Sequence, residues 1–235
     1  MSHSTSSHER ERMLAENVRR ARDMAPDFYS LTHLANLFTR HGQERALLWA
    51  LRRAAVLPLA GKRILEVGCG DGQWLSVFED FGARQSDLSG IELDGARIAV
   101  ARARYAQADL LVGDAAALPW ADGTFDLVWQ STVFTSILDD LTRRSVARDM
   151  LRVLRPGGAM VWYDFAYDNP RNPHVRGIGR AALADLFPNS VVSRRRVTLA
   201  PPLARRLVPI SWSLARGLEA IRLLNTHIIA VVRPL

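Results

Sequence analysis

Glu66-Val67-Gly68-Cys69-Gly70-Asp71-Gly72 follows directly on Lys62–Val67, whose KRILEV reads as a buried strand. The run is a strand, a glycine-rich bend, and then a helix carrying Trp74, Leu75, Phe78 and Phe81. In a doubly wound sheet, ligands bind at such bends, outside the carboxyl ends of the strands. Glycines let the backbone approach a ligand and take positive φ. Two common templates do not fit. A dinucleotide fingerprint requires glycine at 68, 70 and 73, and position 73 is Gln. A phosphate loop of the GxxxxGK[ST] kind is absent from the chain.

Outward from this bend the chain alternates strands and helices. Asp87–Leu93 reads as a second strand, with Asp94 capping a helix through Arg104. Leu110–Val112 and Phe125–Gln130 read as the third and fourth strands. A helix near Leu141–Leu154 is stopped by Pro156-Gly157-Gly158, and Ala159–Phe165 is the fifth strand. Ile178–Phe187 reads as a helix, and Val191–Leu199 and Thr226–Val232 as the last strands. Upstream, 13–57 is helical in pattern and broken near Pro26, and 1–12 reads as a mobile tail. The expected architecture is α/β: a doubly wound, mostly parallel seven-stranded sheet with an antiparallel last strand. The expected organisation is one domain at 58–235 with a helical lid at 13–57. Asp71 is expected to cap the helix after the bend.

Composition is consistent with this. The 235 residues are 48% hydrophobic and 23% charged, which excludes a disordered or collagen-like chain. The single cysteine, Cys69, leaves no internal disulfide and no cysteine cluster for zinc. No apolar stretch reads as a secretory signal or a membrane span, so a cytoplasmic location is expected.

The bend resembles motif I of the class I S-adenosylmethionine-dependent methyltransferases, written (D/E)xGxGxG, with Glu66, Gly68, Gly70 and Gly72 at its fixed positions. Gly90-Ile91-Glu92-Leu93-Asp94 resembles the second motif. Val112-Gly113-Asp114-Ala115, followed by Leu118-Pro119, resembles the third. Phe125-Asp126-Leu127-Val128 and Leu154-Arg155-Pro156-Gly157-Gly158 resemble the fourth strand and the turn before the fifth. These matches cover residues 62–165. The resemblance implies a Rossmann-like methyltransferase fold binding S-adenosylmethionine and releasing S-adenosylhomocysteine. It implies that Glu92, beside Leu93, meets the ribose hydroxyls, and that Asp114 and the Ala115 N–H meet the adenine. Glu92 lies 20 residues past Gly72, near the distance at which a second-strand carboxylate reaches a ribose. Gln130 and Tyr29 are further expected cofactor contacts, the first at the end of strand four and the second in the lid.

The acceptor side is less legible. Many small-molecule relatives carry a His shortly after strand four; here that slot is Ser136. The remaining groups for removing an acceptor proton are Asp164, after strand five, and His174 in the following loop. No metal set stands out. The expected acceptor is a small molecule or a sugar, acidic or phosphorylated, with O-methylation in biosynthesis the leading reaction. N- or C-methylation and a non-catalytic cofactor-binding relative stay open.

Charge is unevenly placed. Residues 165–235 hold 11 basic and 3 acidic residues, and residues 1–164 hold 20 and 21. Lys62 is the only lysine, so nearly all the positive charge is arginine. No nucleic-acid signature accompanies the arginines, which disfavours RNA or DNA as partner. Leu203–Leu224 reads as an apolar–basic helical stripe. It suits packing on the sheet or a homodimer partner; a membrane-surface helix is the less favoured reading.

Overall fold

The computed structural model describes residues 2–170 and 172–235, with side chains described from Ser7 onward. Two helices open the chain, α1 (Ser2–Asp23) and α2 (Leu34–Ala54). Then follow β1 (Ile64–Val67), α3 (Gln73–Asp80), β2 (Leu88–Glu92), α4 (Gly95–Arg104), β3 (Asp109–Val112), β4 (Phe125–Ser131) and α5 (Asp140–Arg152). The remainder is β5 (Leu154–Phe165), α6 (Arg180–Leu186), β6 (Ser190–Leu199), α7 (Pro201–Leu207), α8 (Trp212–Glu219) and β7 (Asn225–Pro234).

The sheet has seven strands in the order β3-β2-β1-β4-β5-β7-β6. The β1–β5 pairings are parallel, and β7 is antiparallel to both β5 and β6. The expected α/β architecture is therefore present. Strand order reverses at β1, so the crevice of a doubly wound sheet opens between β1 and β4. Strands β1 and β2 are buried at every position, as parallel strands covered on both faces must be.

Two apolar layers flank the sheet. On one face α2, α3 and α4 contribute Leu47, Leu51, Phe78 and Ile98 against Trp129 and Tyr163. On the other, α5 and α6 contribute Val146, Met150 and Leu183 against Val128 and Trp162. A third cluster joins Phe38 at the start of α2 to Ala204, Val208 and Ala215 of α7 and α8. No helix among the described residues is long and apolar enough to cross a membrane.

Several local expectations are corrected. The 1–12 segment, expected to be a mobile tail, is helical from Ser2 and forms the first half of α1. Its charges pair along the helix and across it: Arg12 bonds Glu9, and Glu9 reaches the chain near residue 138. Asp71 does not cap α3; the cap position is Gly72, in the left-handed region with φ +83°, and Asp71 accepts from the Gln73 side chain. Asp94 does cap α4, accepting from the amides of Ala96 and Arg97. Leu203–Leu224 is two short helices and a turn, because Pro209 falls in its middle and lacks the amide a continuous helix needs.

Candidate active site

The cofactor side is built where β1 and β2 end. The amides of Gly68 and Cys69 both donate to the Ile91 carbonyl, at 2.8 and 3.1 Å, tying the bend to β2. Gly68, Gly70 and Gly72 have φ of +71°, +56° and +83°. Gly70 is also crowded. A Cβ there would lie 2.2 Å from Arg97 Nη2, so a side chain would displace Arg97 as well as strain the backbone.

Glu92 clips the bend to its own strand end. Its Oε2 accepts from the Gly70 amide at 3.0 Å, and its Oε1 accepts from the Asp94 amide at 3.1 Å. Arg97 Nη1 stands 3.5 Å from Oε2. Leu93 follows, half-buried. Glu66 is 1% exposed, and its Oε2 is buried with no hydrogen-bond partner among the described residues. Burial pushes its carboxyl well above the usual range, against the pull of Arg40; the Glu92 charge adds to the rise. Cys69 is buried beside these carboxylates, which with burial hold its thiol protonated. Asp114 accepts from the Ala116 amide at 2.8 Å through Oδ1, and its Oδ2 lies 3.8 Å from Arg10 Nε of α1. Ala115 packs, half-buried, against the second apolar layer.

The acceptor side is built where β4 and β5 end. Gln130 is fully buried and turned inward: its Oε1 accepts from the Val133 amide at 3.0 Å and its Nε2 donates to the Tyr163 carbonyl at 3.3 Å. Asp164 is also fully buried. Its Oδ2 accepts from the amides of Phe134 and Thr135, and its Oδ1 from Thr135 Oγ1 at 2.6 Å and the Phe165 amide at 3.0 Å. Burial pushes its carboxyl up to about 6 despite these four donors. His174 is partly exposed, with Nε2 3.9 Å from Glu16 Oε2 of α1. Arg171, in the same loop, lies outside the described residues. Tyr29 is 62% exposed in the connection between α1 and α2. Its ring meets Phe28 edge-on, and Phe28 in turn lies under the Arg205 guanidinium of α7.

Helix α1 lies across this edge. Glu9 accepts from the Leu138 amide at 2.5 Å, and Arg12 donates to the Ser136 carbonyl. Burial alone would raise the Glu9 carboxyl, but the Arg12 and Leu138 hydrogen bonds hold it below the usual range. Together with the Arg10–Asp114 and Glu16–His174 contacts, α1 touches the segments that follow β3, β4 and β5.

Arg143 and His227 are among the buried polar residues missed in the sequence. Arg143 is 5% exposed, donating Nε to the Phe134 carbonyl and Nη2 to the Arg176 carbonyl, and burial with Arg176 nearby lowers it to about 10. Its signal was legible, since it stands at the helical spacing of Val146, Ala147 and Met150 on the buried face of α5. His227 is 4% exposed and stacks on Tyr163 and Phe165; burial pushes it down to about 3. Nothing but its place at the head of an apolar strand marks it in the sequence.

With this geometry in place, comparison with known proteins is informative. Residues 64–158 match the family described as "Methyltransferase domain". A probable S-adenosylmethionine-dependent methyltransferase of Mycolicibacterium smegmatis is 33% identical over 136 residues, covering 54% of this chain and 51% of the relative. The 27-O-demethylrifamycin SV methyltransferase of Amycolatopsis mediterranei is 35% identical over 121 residues, covering 48% and 43%. The chain thus spans about half the length of the curated relatives it matches. Among solved structures, a methyltransferase of Mesorhizobium loti superposes with TM-score 0.59 at 18% identity, over 80% of this chain and 98% of the other. The cyclase SpnF superposes with TM-score 0.58 at 22% identity, over 81% of each chain. These structural likenesses concern the fold.

Residues 64–158 match a methyltransferase domain, and the sheet order and glycine bend support a class I S-adenosylmethionine-dependent methyltransferase. The residues present fit that cofactor. The buried Glu66 oxygen, with no partner among the described residues, leaves an acceptor for a ligand's donor, Glu92 beside it favours positive charge, and S-adenosylmethionine carries a sulfonium and no phosphate.

Proposed function

We propose that the protein transfers a methyl group from S-adenosylmethionine to a small-molecule acceptor, with oxygen the favoured nucleophile. The observation that carries the reading is the acidic, glycine-lined bend itself: Glu66 with a buried unpartnered oxygen and Glu92 on the facing strand end. The relatives named as an O-methyltransferase and as a 27-O-demethylrifamycin SV methyltransferase support oxygen.

Held at this bend, S-adenosylmethionine would supply a methyl group on positively charged sulfur and be left as S-adenosylhomocysteine. The chain's own residues then have four tasks. Glu92 accepts the two ribose hydroxyls, its oxygens already fixed by the Gly70 and Asp94 amides. Asp114 and the Ala115 N–H would hold the adenine edge, with Arg10 of α1 3.8 Å from Asp114. Asp164, with four internal donors and no exposure, positions rather than deprotonates: it holds the 134–135 turn against β5. Gln130 does the same for the turn at Val133. His174, partly exposed on the loop and facing Glu16, is the group we assign to take the acceptor proton into water. Holding the two reactants in attack geometry supplies much of the acceleration in such a reaction.

The test is calorimetry with S-adenosylmethionine, followed by mass analysis of acceptors offered at saturating cofactor. Binding with a 14 Da gain on a phenol or sugar hydroxyl supports the reading. Binding with no methyl transfer across phenols, sugars and amines leaves a cofactor-holding protein of another kind, as the fold shared with a cyclase allows.

A further inference from the structure

Between β6 and β7 the chain inserts 25 residues, 200–224, that form α7, α8 and the turn Arg222–Leu224. The insertion leaves at Leu199 and returns at Asn225, which face each other across the two strands. Asn225 lies two residues from His227, the partner of Phe165, so the insertion stands on the sheet edge where β5 ends. This is also the edge that carries the glycine bend.

The inner side of the insertion is packed. Ala204, Val208 and Ala215 are buried on Phe38 of α2, and Trp212 meets Phe38 edge-on. Its outer side is apolar and unpartnered. Ile210 is 78% exposed and Leu223 is 84% exposed, with Leu214 and Ile221 each about half exposed. The α1–α2 connection adds Tyr29 and Leu31, both more than half exposed, and is held alongside by Arg205 over Phe28. Single exposed apolar residues are ordinary, but four within fourteen residues of one small insertion are a concentration.

Charge accompanies them. The insertion holds Arg205, Arg206, Arg216 and Arg222 against one acid, Glu219. Glu219 is itself taken up by Arg45 of α2 at 3.0 Å and by Arg216. Arg195 of β6, whose guanidinium covers Trp49, adds a further cation; burial and the charges of Arg222 and Arg216 hold it below its usual range. A second copy of this chain would bring the same arginines and repel. Aliphatic tips flanked by arginine suit an anionic lipid surface, where the tips enter the acyl boundary and the guanidinium groups meet headgroup phosphates.

We propose that the α7–α8 insertion docks the protein on an anionic bilayer, with Ile210 and Leu223 entering the lipid and Arg206 and Arg222 meeting the headgroups. The inference is independent of the methyl-transfer reading. The experiment is co-sedimentation of the full chain with vesicles of phosphatidylcholine alone and of phosphatidylcholine with phosphatidylglycerol, at low and high salt. The expected result is binding that requires phosphatidylglycerol and weakens with salt. It should fall at least tenfold in Ile210→Asp/Leu223→Asp and, separately, in Arg206→Glu/Arg222→Glu. Both variants should keep the wild-type melting temperature and affinity for S-adenosylmethionine. Absence of binding to the anionic vesicles overturns the proposal. So does binding that inorganic phosphate abolishes and the Ile210/Leu223 variant leaves intact, which marks a soluble-anion site. Concentration-dependent dimerisation lost in the same variant also overturns it.

Discussion

Replacing Glu92 with Ala tests the cofactor site most directly. Each Glu92 oxygen accepts one loop amide, and Oε2 also takes Arg97 at 3.5 Å, so a ribose would use the remaining acceptor capacity. Two ribose hydroxyls bonding a carboxylate contribute about 1.5 kcal/mol each, at the lower end for charged acceptors. Their loss is about 3 kcal/mol, an affinity for S-adenosylmethionine weaker by about 150-fold. The same substitution strips the Gly70 and Asp94 amides of their acceptor and releases Arg97. Leaving two amides unpaired costs about 2 kcal/mol, since at the crevice wall water satisfies part of the need. In a chain of this size that lowers the melting temperature by about 4–8 °C. Glu92→Gln keeps one oxygen and one hydroxyl partner, and its affinity should drop by only about tenfold. Titration calorimetry with S-adenosylmethionine and S-adenosylhomocysteine, paired with a melting curve, separates the two effects. An Ala variant that melts cooperatively and binds within threefold of wild type would refute the assignment of Glu92 to the ribose.

Three further outcomes are expected. Asp164→Asn replaces an acceptor oxygen with an NH2 facing two amides or a hydroxyl and an amide, so urea denaturation at pH 7 should give a loss of about 3 kcal/mol. Because the folded carboxyl titrates near 6, above its unfolded value of 3.8, its contribution is full below pH 3.8 and declines as pH rises through 6; the gap between wild type and variant should therefore narrow by up to about 3 kcal/mol from pH 4 to pH 7. His227 is shifted the other way, from 6.5 down to about 3, so its contribution is present above pH 6.5 and is lost as pH falls. His227→Phe keeps the stacking on Tyr163 and Phe165 and should lose about 3 kcal/mol less than wild type between pH 7.5 and 4.5; parallel curves would remove His227 as the acid-sensitive group. His174→Ala should lower turnover of a hydroxyl acceptor by about a hundredfold and leave cofactor affinity unchanged; a variant that turns over within twofold of wild type would eliminate it as the base.

Much of the fold was written locally. The alternation of apolar runs with helical stripes located all seven strands to within a few residues, apart from β5, which begins at Leu154 and carries Pro156-Gly157-Gly158 inside its bounds, where its register against β4 shifts. Glycine spacing and the acidic strand ends marked the bend, because positive φ and close approach are demands on single residues. What stayed hidden depended on contacts between distant parts of the chain. Asp164 read as a reactive carboxylate at a strand end, but residues 134 and 135, about thirty positions earlier, occupy its oxygens. The polar start of the chain read as a tail because its partners, near residues 136–138, are more than a hundred positions away. Strand patterns and the glycine bend are set by the periods and backbone limits of neighbouring residues, so the chain declares them by itself. Whether a carboxylate reacts, braces a turn or anchors a helix is set by burial and by which donors arrive from elsewhere, and only the assembled fold brings those together.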